Sequence, residues 1–90
     1  MAKILIVEDN DMNLDMLSRR LARKGYDIVV ARDGQAGVAQ ALPELPDLIL
    51  MDIQLPEVSG LEVTKWLKDD DELCRIPVVA CPTAFADAGQ

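Results

Sequence analysis

The central segment of the chain, residues 48–60, reads Leu-Ile-Leu-Met-Asp-Ile-Gln-Leu-Pro-Glu-Val-Ser-Gly. Its first four residues are apolar without alternation, which is typical of a strand that is covered on both faces in a parallel sheet. Asp52 ends this run, although a buried carboxylate is costly unless a cation or hydrogen-bond donors compensate it. Pro56 and the pair Ser59-Gly60 then indicate a turn and a new element. Ligand sites in open parallel sheets form at the carboxyl ends of strands, so Asp52 is predicted to lie at such a site.

Strand and helix patterns alternate on both sides of this segment. Apolar runs predict three further strands at residues 3–7, 27–31 and 76–81, and helical spacing predicts helices at residues 11–24, 34–42 and from 59 to the acidic run 69–72. Asn10 or Asp11 is expected to cap the start of the first helix, and Ser59 the start of the third. Gly25 is expected to close the first helix in a left-handed conformation, and Pro43 and Pro46 to stop the second. The alternation predicts a single α/β domain, a doubly wound parallel sheet with right-handed crossovers and helices on both faces.

The same helical spacing predicts which residues share one face of each helix. They are Leu14, Leu17 and Leu21 on the first helix, and Leu61, Thr64 and Leu67 on the third. Met12 and Met16 are expected to fill gaps in or near the core, because methionine adapts to irregular apolar spaces.

The composition excludes several classes of function. The chain has 16 acidic residues, 9 basic residues and no histidine, so its formal net charge is −7. This balance argues against binding to nucleic acid or to anionic lipid, since both need a basic surface. Cys74 and Cys81 form neither a zinc nor a redox motif, and we expect reduced thiols. The first apolar run is too short to span a membrane and no signal-peptide cleavage site follows it, so a cytoplasmic protein is predicted.

Two of the predicted strands end in acid, the first at Glu8 and Asp9 and the third at Asp52. Carboxylates drawn together in this way would repel one another, by about 4 kcal/mol for a pair 4 Å apart at an effective dielectric near 20. A hard divalent cation removes this penalty, and Mg²⁺ prefers a few carboxylates, a carbonyl and retained waters. The simpler interpretation, in which an acidic residue only caps a helix, is the one expected for Asp11 and Asp33.

The two acidic strand ends, with the residues around them, resemble a known family. Residues 4–10, Ile-Leu-Ile-Val-Glu-Asp-Asn, followed by residues 48–56 and Ser59-Gly60, are similar to the receiver domain of bacterial two-component response regulators. The resemblance covers residues 3–86, and residues 47–68 resemble single-domain regulators of cell division in particular. It implies a flavodoxin-like, CheY-like fold and a phosphorelay function. The partners would be a sensor histidine kinase or a histidine phosphotransferase, and a downstream protein target.

The resemblance also implies roles for individual residues. Asp52 would be the phosphoacceptor. Asp9, Asp52 and the backbone carbonyl of Gln54 would bind Mg²⁺ directly, and Glu8 would bind it through water. Such a chain modifies itself instead of turning over a substrate, so an enzyme in the ordinary sense is not expected. An aspartyl-nucleophile phosphatase would need an acid where the chain has Gln54, which disfavours that alternative.

The chain departs from the family pattern near its end. It stops at Gln90, so we expect a domain of residues 1–90, truncated after the fourth strand, without the family's fourth helix, fifth strand and fifth helix. No lysine follows Lys68, although the family places one at the end of the fifth strand. Thr83, the candidate switch hydroxyl, comes one residue late behind Pro82, so either a bulge returns it to the site or the hydroxyl is lost. A second function therefore stays open, a switch-dead interaction module, and the uncovered sheet edge predicts a homo-oligomer.

Overall fold

The computed structural model of the chain describes residues 2–55 and 58–81. Within them, strands and helices alternate as predicted. The elements are β1 (Lys3–Val7), α1 (Asp11–Arg23), β2 (Asp27–Ala31), α2 (Gly34–Glu44), β3 (Leu48–Asp52), α3 (Gly60–Asp69) and β4 (Val78–Cys81). In the described part of the chain, no helix combines the length and the apolarity needed to cross a membrane.

The four strands form one parallel sheet in the order β2-β1-β3-β4. The chain places β2 on one side of β1 and β3 on the other, so the direction of winding reverses at β1. In doubly wound sheets, this reversal opens a crevice between the carboxyl ends of the two strands involved, here β1 and β3. The structure confirms the predicted doubly wound, flavodoxin-like fold.

Both faces of the strand β1 are covered. Leu5 and Val7 belong to the larger apolar cluster with residues of α3, whereas Ile4 and Ile6 pack with Leu14 of α1. All four strand residues are at most 3% exposed. A strand buried on both faces needs apolar side chains at every position, which explains why the runs in the sequence do not alternate.

The ends of α1 follow the capping rules that the sequence predicted. The Asn10 side chain accepts a hydrogen bond of 3.0 Å from the backbone N–H of Asn13, which caps the start of the helix. Gly25 follows the helix with a φ of 97°, in the left-handed region that glycine adopts without steric cost.

Three predicted packing positions were wrong. Met12 is 81% exposed, Leu61 is 60% exposed and Met16 is 36% exposed, so none of them fills the core. On α3 the buried stripe runs through Val63 and Leu67 instead. Each misplaced residue lies two positions from a buried residue, Leu14 or Val63, and two steps of about 100° turn it to the opposite side of the helix.

Two predicted boundaries also differ from the structure. The second helix passes through Pro43 and ends at Glu44, and the fourth strand begins at Val78. Proline removes one donor from the last turn, but the N–H of Leu45 still bonds to the Ala41 carbonyl at 2.9 Å and keeps that turn closed. Leu45 itself takes a left-handed conformation, with a φ of 43°, and ends the helix.

Candidate metal centre

The register of the sheet brings together the acidic residues that the sequence singled out. β1 and β3 pair up to Val7 and Met51, and the residues that come next are Glu8 and Asp52. One carboxylate oxygen from each of Glu8, Asp9 and Asp52 lies within 4.8 Å of the other two. Glu8 is 5% exposed and Asp52 is 4% exposed, while Asp9 is open to solvent. The three carboxylates thus form one pocket, partly buried and accessible from one side.

The Glu8 carboxylate is held at one oxygen and open at the other. The backbone N–H of Glu8 donates a hydrogen bond of 2.9 Å to the Ala31 carbonyl. In the side chain, Oε1 accepts a hydrogen bond of 2.8 Å from the amide of Asn13. Its Oε2 is buried, and no hydrogen-bond donor for it occurs in the described ranges. Burial is the main cause that raises the pKa of Glu8 to about 7. The rise is increased by Asp52, whose carboxylate can accept a hydrogen bond from protonated Glu8, and by the charges of Asp52 and Asp9, whereas the Asn13 bond opposes it.

Asp52 is held by the loop that follows β3. Its Oδ1 accepts a hydrogen bond of 3.0 Å from the backbone N–H of Gln54. The loop closes where the Gly60 N–H donates to the Ile53 carbonyl at 2.8 Å, at the first residue of α3. The Ser59 hydroxyl accepts from the Glu62 N–H at 3.3 Å and caps α3, as the sequence predicted. The loop backbone therefore fixes where the Asp52 carboxylate lies.

The donor set fits a hard divalent cation. Glu8, Asp9 and Asp52 offer only oxygen atoms, which Mg²⁺ and Ca²⁺ prefer over nitrogen or sulfur ligands. Without a cation, each close pair of ionised carboxylates repels by roughly 3 to 4 kcal/mol at an effective dielectric near 20. The buried Glu8 Oε2 atom also needs a donor or a cation to offset its desolvation. The ligand chemistry of the pocket therefore suits Mg²⁺, which would offset the cost of burying these carboxylates.

Of the other predicted site residues, Gln54 lies beside the pocket and Thr83 is outside the residues that the structure describes. Gln54 lies two residues after the end of β3, with an exposed side chain, and its backbone N–H contacts Asp52. Thr83, the candidate switch hydroxyl, lies outside the described residues. Asp33 caps α2 by accepting from the Ala36 N–H at 2.7 Å, as expected. Asp11 does not cap α1, since Asn10 takes that role.

Two polar contacts near the pocket were missed by the sequence interpretation. The Asn13 side-chain amide donates to Glu8 Oε1, a contact that the pattern of acidic strand ends does not predict. Its position five residues after Glu8, in the first turns of a capped helix, is the signal that could have indicated this contact. Arg32 follows β2 directly and forms an ion pair with Asp11. The sequence predicted Asp11 only as a helix cap, so this ion pair was not expected.

The raised pKa of Glu8 predicts a specific pH dependence of stability without metal. Between about pH 4.5 and 7, Glu8 keeps its proton in the folded chain and loses it in the unfolded chain. Rising pH therefore favours unfolding in this interval, by about 3 kcal/mol at most, and has no further effect through Glu8 above or below it. Urea denaturation at a series of pH values in a chelating buffer measures this loss.

Matched variants separate the Glu8 contribution from that of the other acids. A Glu8→Gln variant is expected to lose this part of the pH dependence, whereas Glu72→Gln, at an exposed position, keeps it. Saturating Mg²⁺ is expected to weaken the dependence in the wild-type chain, because the cation favours ionised Glu8. Identical pH profiles for the wild-type and Glu8→Gln chains would contradict this prediction.

A protein-family model matches nearly the whole chain. The family model described as the response regulator receiver domain matches residues 4–89. Among curated proteins, the polar-differentiation response regulator DivK of Brucella anthropi is 56% identical over 86 residues. That alignment covers 96% of this chain and 69% of the relative.

Solved structures of receiver domains have the same fold as this chain. The N-terminal domain of a response regulator receiver protein from Methanoculleus marisnigri superposes with a TM-score of 0.86 at 31% identity, over 89% of this chain and 65% of that one. The receiver domain of the sensor histidine kinase PA1611 from Pseudomonas aeruginosa, with magnesium coordinated in its active-site cleft, gives a TM-score of 0.84 at 33% identity. This second match covers 88% of this chain and 65% of that one, so the chain spans about two thirds of either structure.

Proposed function

Since the chain belongs to the response regulator receiver domain family, we propose that Asp52 accepts a phosphoryl group in a two-component phosphorelay. The donor would be a phosphohistidine of a sensor histidine kinase or of a histidine phosphotransferase in the cytoplasm. The phosphorylated domain would then signal by binding a downstream protein. One observation carries this proposal: Asp52 is buried at the switch point of the sheet, in one pocket with Glu8 and Asp9.

The proposed reaction is the transfer of one phosphoryl group between two proteins. A carboxylate oxygen of Asp52 attacks phosphorus while the bond from phosphorus to the donor imidazole nitrogen breaks. The imidazole nitrogen keeps the electron pair and takes up a proton from water, and Asp52 becomes an acyl phosphate. The Gln54 N–H holds Oδ1 of Asp52 at 3.0 Å, so the carboxylate is oriented before the donor arrives.

Asp9, Asp52 and the Gln54 carbonyl would hold Mg²⁺ directly, and Glu8 would hold it through water. When bound, Mg²⁺ neutralises negative charge that develops on the transferring phosphoryl oxygens. The donor chemistry of the pocket and the buried Oε2 atom of Glu8 support this assignment. The magnesium named for the Pseudomonas receiver domain gives it further support.

The pocket is open to solvent on one side, which suits a phosphoryl donor that is part of another protein. Asp9 and Gln54 are exposed beside the buried Asp52, so a phosphohistidine on another protein could reach the acceptor from solvent. Met12 and Met16 on α1 expose apolar surface near this edge, at 81% and 36%. We propose that this part of α1 contributes to recognition of the donor protein.

Incubation with acetyl phosphate and Mg²⁺ tests the proposal directly, because this small donor needs no kinase. We expect intact-mass spectrometry to show the addition of one phosphoryl group. A chelator added before the donor is expected to prevent the addition. Hydroxylamine is expected to remove the group, since it cleaves acyl phosphates and leaves phosphate esters of serine or threonine intact.

An unmodified mass under these conditions would contradict the proposal and would favour the switch-dead interaction module. The predicted homo-oligomer remains a prediction that is independent of this result. Light scattering at micromolar concentration measures it, and a monodisperse monomer would show that prediction to be wrong.

A further inference from the structure

Apart from the pocket carboxylates Asp9 and Asp52, Asn13 is the one described residue whose side chain forms a hydrogen bond with the Glu8 side chain. We propose that Asn13 is a positioning residue, which orients the Glu8 carboxylate and thereby sets the affinity and selectivity of the pocket for Mg²⁺. This inference rests on the proposed function, since it concerns the same pocket. It adds a residue of α1 to a site that the sequence had built only from strand ends and the β3 loop.

The contact holds one end of the carboxylate and leaves the other available. Asn13 Nδ2 donates to Glu8 Oε1 at 2.8 Å, while Oε2 is buried with no donor in the part of the chain that the structure describes. A Glu side chain has three rotatable bonds, so a carboxylate without such an anchor would sample several orientations. The Asn13 amide thus selects the orientation in which Oε2 remains within the pocket.

Asn13 is itself held in place at the start of α1. Its backbone N–H donates to the Asn10 side chain at 3.0 Å, and the Leu14 N–H donates to the Asn10 carbonyl at 2.9 Å. Leu14 is 6% exposed and packs with Ile4 and Ile6 of the sheet. The amide therefore projects from a capped and packed helix turn, which makes it a more rigid support than a loop residue would be.

The neutrality of the amide suits this role. A lysine or arginine at position 13 would neutralise Glu8 and compete with the cation for it. An acid there would add repulsion to a pocket that already holds three carboxylates. An amide donates a hydrogen bond without cancelling the negative charge that attracts the metal, as partners of metal ligands commonly do.

An Asn13→Ala variant tests the inference through metal affinity. We expect isothermal titration of Mg²⁺, well above the pKa of Glu8, to give a Kd that is tenfold or more weaker than in the wild-type chain, since loss of such partners typically costs about 10- to 100-fold. Ca²⁺ accepts irregular coordination, whereas Mg²⁺ demands near-ideal octahedral geometry. The Kd for Ca²⁺ is therefore expected to change less than that for Mg²⁺.

Ser18→Ala is the matched control, because Ser18 is also a half-buried polar residue of α1 and has no hydrogen bond to Glu8. Its affinities for both cations are expected to equal those of the wild-type chain. Unfolding of Asn13→Ala in a chelator reports any purely structural role. A change in stability combined with an unchanged ratio of Mg²⁺ to Ca²⁺ affinity would overturn the inference.

The outcomes also distinguish this inference from the proposed function. A wild-type chain that binds no Mg²⁺ would contradict the proposed function, and the inference would fall with it. A wild-type chain that binds Mg²⁺ and an Asn13→Ala chain that binds it equally well would contradict the inference alone.

Discussion

An Asp52→Asn chain is expected to gain no phosphoryl group from acetyl phosphate and Mg²⁺, under conditions in which the wild-type chain is modified. The asparagine amide is neutral and delocalises its nitrogen lone pair, so it offers no anionic oxygen to attack phosphorus. Its carbonyl oxygen can still accept the hydrogen bond that the Gln54 N–H makes with Asp52 Oδ1 at 3.0 Å. The variant therefore removes the proposed nucleophile and one proposed metal ligand with little change in shape, and intact-mass spectrometry reports the result.

The same variant has a second expected effect, on stability. Without metal and at a pH above the pKa of Glu8, loss of the Asp52 charge relieves repulsion with Glu8 and Asp9, so the free energy of unfolding is expected to rise by about 1 kcal/mol or more. Addition of Mg²⁺ is expected to stabilise the variant less than the wild-type chain, because a ligand is missing. Urea denaturation with and without Mg²⁺ measures both quantities.

Asp47→Asn provides the matched control, since Asp47 precedes β3 whereas Asp52 ends it. Asp47 is exposed, and its side chain accepts a hydrogen bond of 2.8 Å from the backbone N–H of Lys3. This contact lies at the amino ends of the strands, opposite the pocket. This control is expected to take up the phosphoryl group as the wild-type chain does. A modified Asp52→Asn chain would show that another residue is the acceptor.

A Gly60→Ala substitution is expected to cause the largest loss of stability from a single methyl group. A Cβ at position 60 would lie 1.9 Å from the backbone oxygen of Asp52 and 2.9 Å from the Cα of Ile53. Neither backbone atom can move away independently, so α3 and the end of β3 must separate. We expect a loss of about 3 kcal/mol, at the upper end for overpacking, together with weaker Mg²⁺ binding because Asp52 is displaced. Denaturation curves and Mg²⁺ titration measure the two effects.

Gly34→Ala is the matched control for this substitution. Gly34 is also the first residue of a helix, after the cap Asp33, but an added Cβ would meet Val63 Cγ2 at 2.6 Å, a side-chain atom. A side chain can repack where backbone cannot, so this variant is expected to lose less stability and to keep its Mg²⁺ affinity. Equal losses in the two variants would contradict the argument from the backbone clash.

The local pattern of the sequence was sufficient to predict the elements of the fold. Apolar runs at the strands, the caps Asn10 and Ser59 and the left-handed Gly25 depend on neighbours within a few residues, so they can be read without the tertiary structure. Met12 and Leu61 were misplaced because helical spacing fixes the relative positions of side chains but not which face meets the sheet.

The meeting of the acidic residues was predictable for a different reason. Glu8, Asp9 and Asp52 each follow an apolar run, and parallel strands place their carboxyl ends at one edge. The strand order, with β3 directly beside β1, is a long-range property that motif resemblance suggested and the register of the sheet demonstrates.

Residue order along the chain thus already contained the alternation of strands and helices, their caps and the identity of the acidic residues, because these depend on local periodicity and side-chain chemistry. The raised pKa of Glu8, the Asn13 contact and the close approach of Gly60 to Asp52 became apparent only from the folded chain. Burial and contact distance arise from the packing of segments that are remote in sequence, and no local pattern specifies them.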